Sequence, residues 1–136
     1  MNAFPLKIVT PDGLLYDGQA QELVVRTTTG DLGILAGHVN CVAPLGMGQA
    51  MVVVDGKKRY AACIGGMVSV VSGNVTLVPT TFEWAENIDV NRAAASEKRA
   101  HNILDDKSSS DVEIALAQAR LKRALIRTSV ANRKGM

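Results

Sequence analysis

After Asn87 no glycine occurs until Gly135, and that break constrains the fold more than any other feature of the chain. Glycine supplies the positive backbone angles that tight turns need, so a long stretch without it favours helices over hairpins. Up to about Pro79 the pattern is the opposite. Short runs rich in Val, Ile and Thr are separated by turn signals at Pro11-Asp12-Gly13, Asp55-Gly56 and Ser72-Gly73-Asn74. The clearest hairpin is AMVVVDGKKRYAAC, where Asp55-Gly56 fits a two-residue turn between alternating flanks. Regularly spaced strands predict a sandwich or barrel, and apolar positions on two faces favour two packed sheets.

From Asn87 onward the composition shifts to Ala, Arg, Lys and Leu, all good helix formers. One helix is predicted from about Val90 to Leu104, capped by Asp89. DDKSSSD interrupts it, and Ser110 with Glu113 forms a capping box that opens a second helix. Ile114, Ala117, Leu121, Ala124 and Leu125 fall on one stripe of that second helix, facing Ala93, Ala100, Ile103 and Leu104 of the first. The chain therefore divides into an all-β unit at residues 1–86 and an α-helical hairpin at 87–136, α+β overall. Alanine buries little apolar area, so the hairpin is expected to be weakly anchored. Weakly anchored elements are where conformational switches reside.

Charge follows the same division. The net +2 is the balance of −2 over residues 1–86, with five Lys or Arg against seven Asp or Glu, and +4 over 87–136, with ten against six. No apolar run approaches the roughly 18 to 20 residues of a membrane span, and MNAFPLKIVTPDG is not a signal peptide. Both point to a cytosolic protein. Cys41 and Cys63 lack C-x-x-C spacing and read as small buried hydrophobes. His38 and Cys41 have an H-x-x-C spacing without a fourth ligand, so no metal is expected. His38 and His101 lie far apart and no nucleophile has an adjacent base, so no catalytic residue is assigned. A nucleic-acid-binding module is the competing function. Aromatic residues are only 4% of the chain, and Trp84 is the only one near the basic tail, which leaves nothing for bases to stack on.

Two segments and a six-residue motif resemble one family. TGDLGILAGH, Thr29 to His38, is similar to the G-E-x-G-I-x-P-G-H segment of the epsilon subunit of bacterial rotary ATP synthases, with Asp31 for its acid and Ala36 for its proline. GGMVSVVSGNVTLV, Gly65 to Val78, is similar to its G-G-x-x-x-V-x-x-x-x-V-T-V-L segment. The resemblance covers essentially the whole chain. It implies a ten-stranded β-sandwich that grips the shaft (gamma) subunit and approaches the membrane c-ring through a loop of Gly30, Asp31, Leu32, Gly33, Ile34, Leu35, Gly37 and His38. It further implies a rotor subunit that couples proton or sodium-ion flow to ATP synthesis. The helices would reach the alpha/beta catalytic head and inhibit hydrolysis there. Such a protein is peripheral, on the cytoplasmic face of the bacterial membrane.

IDVNRA matches the I/L-D-x-x-R-A motif through which some epsilon subunits bind ATP, at Ile88, Asp89, Arg92 and Ala93. The resemblance adds Arg99, Arg123 and Arg127 and, just before the helices, Glu83. ATP is then a regulatory ligand and no cofactor is obligatory. Read from the residues alone, Asp89 is equally a helix cap and the arginines equally a solvated face or a dock for acidic helices. Arg120, Arg123 and Arg127 crowd like charges on one helix face, which a polyphosphate would relieve. No G-x-x-x-x-G-K-[ST] loop is present.

Overall fold

A computed structural model describes residues 2–133, so Met1 and residues 134–136 of the two assigned units fall outside it. Eight strands come first: β1 (Phe4–Thr10), β2 (Gly13–Ala20), β3 (Glu22–Thr27), β4 (Gly30–Leu35), β5 (Cys41–Pro44), β6 (Met47–Val54), β7 (Lys57–Val71) and β8 (Asn74–Trp84). A single 3-10 turn, Ala85–Asn87, leads to α1 (Val90–Asp105) and α2 (Asp111–Ala131). Asp55 and Gly56 have φ of 51° and 75°, and Ser72 and Gly73 have 49° and 82°, so both two-residue turns carry the positive angles that hairpin twist demands.

The expected ten strands are eight because two of them serve twice. β7 pairs β6 through Lys57–Ile64 and then β5 through Met67–Val70, while β8 follows it in one register from Asn74 to Trp84. The partners change at Gly65-Gly66, whose φ values are 68° and 98°. A Cβ at Gly66 would collide with the Val78 carbonyl and the Pro79 backbone. Counting each half of β7 and β8 separately restores two layers of five: β2-β1-β8-β7-β5 and β8-β7-β6-β3-β4. Strand character also runs past Pro79 to Trp84, since the proline falls at this bend opposite Gly66, where a missing N–H is tolerated.

Alternation drives the layers together. Phe4, Leu6 and Ile8 of β1, Leu23 and Val25 of β3, Val52 of β6, Val68 and Val70 of β7 and Leu77 of β8 join one core. Cys63 lies in it too, and burial pushes its thiol up to about 12. The segment expected as a contact loop is largely a strand. Gly30 to Leu35 pair with β3 as the edge strand β4, because Ile34 is drawn into the core, and only residues 36–40 connect it to β5.

The helices form as predicted at their starts. Asp89 Oδ1 accepts the Arg92 N–H at 3.0 Å. The Ser110 hydroxyl accepts the Glu113 N–H while the Glu113 carboxylate accepts the Ser110 N–H, both at 3.1 Å. Ala93 and Ala100 bury against Ala117 and Ala124, giving a seam of small residues. Leu125 is not part of it: it is 47% exposed, one position round the helix from buried Ala124. Val130 and Ala131 tie the end of α2 to Ala62, Ala85 and Ile88, with Tyr60 and Ile126 alongside. The hairpin is thus folded against the sandwich at its base.

Candidate functional site

The alanine seam brings the two helix backbones close, and the long side chains flanking it converge on the sandwich. Arg92 and Arg99 project from α1 and Arg120, Arg123 and Arg127 from α2 into one groove of about 740 Å³. Its opposite wall is Thr81, Phe82 and Glu83 of β8, Ile64 of β7, and Thr10, Asp12 and Leu15 at the β1–β2 turn. Thr10 Oγ1 holds that turn by accepting the Asp12 N–H at 3.2 Å. Five arginines against the two carboxylates leave a formal +3 on the lining.

Only one of those arginines is neutralised. Arg127 donates from Nη2 to Glu83 Oε2 at 3.0 Å, and its Nε lies 2.7 Å from Oε1, in ion contact but out of line for a second hydrogen bond. The pair bridges α2 to β8 and is partly withdrawn from water, with Arg127 18% and Glu83 36% exposed. Arg92, Arg99, Arg120 and Arg123 have no ion pair among the described residues. Spacing of three and seven along α2 places Arg120, Arg123 and Arg127 on one face, where each like-charged neighbour costs a few tenths of a kcal/mol. An anion with several oxygens is the species that would satisfy such a groove, because guanidinium forks match phosphate geometry.

Of the residues singled out in the sequence, Glu83, Arg92, Arg99, Arg123 and Arg127 line the groove. Ile88 is buried at the hairpin base with Val130, Ala93 is sealed in the interhelical seam, and Asp89 stands exposed at the α1 cap. Asp89 acts on the groove through Arg92, whose N–H it holds. Arg120 was noticed only as a crowding charge, though its spacing to Arg123 and Arg127 already put it on their face. Asp12, Leu15 and Phe82 carried no signal, since their place in the lining depends on how the sandwich folds.

The β4 region presents a different surface. Asp31 pairs with Arg26 at 3.0 Å, and His38 Nδ1 lies 2.8 Å from the Val39 carbonyl oxygen. Leu35, Val39 and Val42 are 58%, 74% and 64% exposed within eight residues, an apolar concentration at one end of the sandwich. Cys41 Sγ is 4.0 Å from His38 Nδ1, and no group of three potential metal ligands occurs among the described residues. No helix is long and apolar enough to cross a membrane.

Comparison with known proteins gives a consistent assignment. Residues 3–85 match the family model for the ATP synthase delta/epsilon chain β-sandwich domain, and residues 86–132 match that for its long α-helix domain. The chain is 43% identical over 131 residues to the ATP synthase epsilon chain of Bacillus velezensis, covering 96% of this chain and 98% of the relative. It is 39% identical over 135 residues to that of Ruminococcus albus, covering 98% and 100%. A chain in the cryo-EM structure of the Euglena gracilis mitochondrial ATP synthase superposes with a TM-score of 0.82 at 23% identity, over 93% of this chain and 80% of that one. A chain from the Tetrahymena thermophila enzyme's central stalk and c-ring gives 0.60 at 14% identity, over 93% and 95%. At these identities the two structures speak for the fold.

Proposed function

The chain belongs to the ATP synthase delta/epsilon family, as a non-catalytic subunit of that complex, and from that premise we propose that it is a central-stalk rotor subunit whose hairpin binds ATP in its compact state. In this reading the sandwich grips the gamma shaft and the apolar end around Leu35, Val39 and Val42 meets the c-ring, which holds the protein peripherally at the cytoplasmic face of the membrane. Ion flow, of protons or sodium ions, is coupled through it to ATP synthesis. The observation that carries the ATP reading is the groove itself: four arginines without carboxylate partners, supplied by both helices and closed by the sandwich.

A site assembled from two helices exists only while they are folded together. ATP therefore favours the compact hairpin by the difference in its affinity for the two states. Without ATP the helices separate and extend toward the alpha/beta head, where they impede hydrolysis. Asp89 keeps Arg92 in place, and its second carboxylate oxygen, with no partner among the described residues, is available to the adenine amine.

Titration of ATP into the full chain tests this directly. Arg92→Ala with Arg123→Ala removes two groove cations and leaves the Glu83–Arg127 pair intact, and it should abolish measurable ATP binding. With probes on the sandwich and near Ala131, ATP should shorten the distance in the parent and not in that double variant. An unchanged distance in the parent, with ATP bound, would defeat the switch; no binding would defeat the site.

A further inference from the structure

We propose that Arg120 contacts the ligand, and that with Arg99 and Arg123 it forms a subsite for the terminal phosphate of a linear polyphosphate. The inference rests on the reading of the groove as a nucleotide site and adds a residue and a selectivity to it.

The arginines are ordered along the groove. The helices are antiparallel and joined by residues 106–110, so Arg99 on α1 and Arg120 on α2 lie nearest the interhelical turn, Arg123 follows, and Arg92 and Arg127 lie nearest the sandwich base. The base end carries its own negative charge, with Glu83 on Arg127 and Asp89 at the start of the helix that bears Arg92. The turn end has none. Asp12, the other carboxylate of the lining, is beyond ion-pair distance of every arginine, and Glu97 is turned to His101 at 3.8 Å.

Nor do the helices compensate these charges locally. Residues three and four away from Arg120 are Ala117, Leu116, Arg123 and Ala124. Those around Arg99 are Ser96, Ala95, Asn102 and Ile103, and those around Arg123 are Arg120, Ala119, Ile126 and Arg127. A solvated basic face ordinarily interleaves acids at these spacings; this one faces a groove with three bare guanidinium groups at one end. Each phosphate added to a ligand whose nucleoside lies toward the base would extend its charge into that end. Affinity therefore rises with phosphate number, and Arg120 reads the last phosphate.

Calorimetric titration of the full chain with ATP, ADP and inorganic tripolyphosphate, for the parent, Arg120→Gln, Arg120→Lys and Arg92→Gln, tests the subsite. Arg120→Gln should weaken ATP about tenfold, the scale of one hydrogen bond to a charged group, and leave ADP within about twofold because one phosphate contact is missing from ADP already. Arg120→Lys should fall between, since it keeps charge and loses the fork. Arg92→Gln should weaken ATP and ADP alike. Tripolyphosphate should displace ATP from the parent. Equal loss of ATP and ADP in Arg120→Gln, no loss of either, or failure of tripolyphosphate to compete would each overturn the subsite while leaving the nucleotide site standing. A parent that binds no ATP would overturn both. Unchanged helix content by circular dichroism shows that each variant is folded, as expected for an exposed side chain.

Discussion

The sandwich and the hairpin are both held by buried apolar residues, but the residues differ in kind. Leu6, Ile8, Leu23, Ile34 and Leu77 are fully buried between the two layers, whereas the interhelical seam is Ala93, Ala100, Ala117 and Ala124. A buried Leu or Ile contributes about 1.5–3 kcal/mol relative to exposure, and an alanine far less. One region is therefore cemented by its core. The other keeps its shape mainly through helix propensity, its two caps and one ion pair to the sandwich. A unit that must separate its helices without unfolding its support is built this way.

Breaking the sandwich at its bend should have the largest effect. Gly66→Val places a side chain against the Val78 and Pro79 backbone at a φ of 98°, and should cost more than about 4 kcal/mol and abolish the cooperative melt. Next, Leu23→Ala should lower sandwich stability by about 3 kcal/mol, read by denaturant titration. Labelling of buried Cys63 should accelerate in step, because its thiol becomes reachable only when the layers part. Half-exposed Cys41 should label readily in both proteins.

The hairpin should respond on a smaller scale. Ala100→Gly should cost about 1 kcal/mol of helix stability and speed amide exchange in α1 and α2 without changing Cys63 labelling; a matching change at Cys63 would show that the two regions unfold as one. A chain ending at Glu86 loses only the cluster around Val130 and Ala131. It should still melt cooperatively, within about 4–8 °C of the parent. A molten fragment would break the comparison outright.

The smallest effect concerns the interhelical turn. Asp106 accepts from the Ser108 hydroxyl at 2.7 Å and the Ser108 N–H at 2.9 Å, and these bonds hold its carboxyl below the usual carboxylate range. A lowered folded pKa means the contribution is present above the unfolded carboxylate pKa and is lost as pH falls through the lowered folded value. Ser108→Ala removes the hydroxyl donor and leaves the backbone one, so the Asp106 midpoint followed by carboxyl NMR should rise part of the way. No change would mean that the backbone bond alone sets it.

Much of this molecule is legible in its sequence because the deciding interactions are local. The glycine boundary, the Asp55-Gly56 turn, the Asp89 cap and the Ser110–Glu113 box each involve residues a few positions apart, and the backbone has little choice once those residues are present. The arginine face of α2 is local in the same sense, being a matter of helical spacing. What tertiary structure alone decided was longer in range. That β7 and β8 each serve two layers follows from the close approach of Gly66 to Val78 and Pro79 on another strand. The Gly30–Leu35 stretch became an edge strand because a core assembled from seven other strands had room for Ile34. The groove required Asp12, Phe82 and Glu83 to be brought to the arginines from positions tens of residues away, and only the packing of helices on a completed sandwich sets which charges meet and which stay bare.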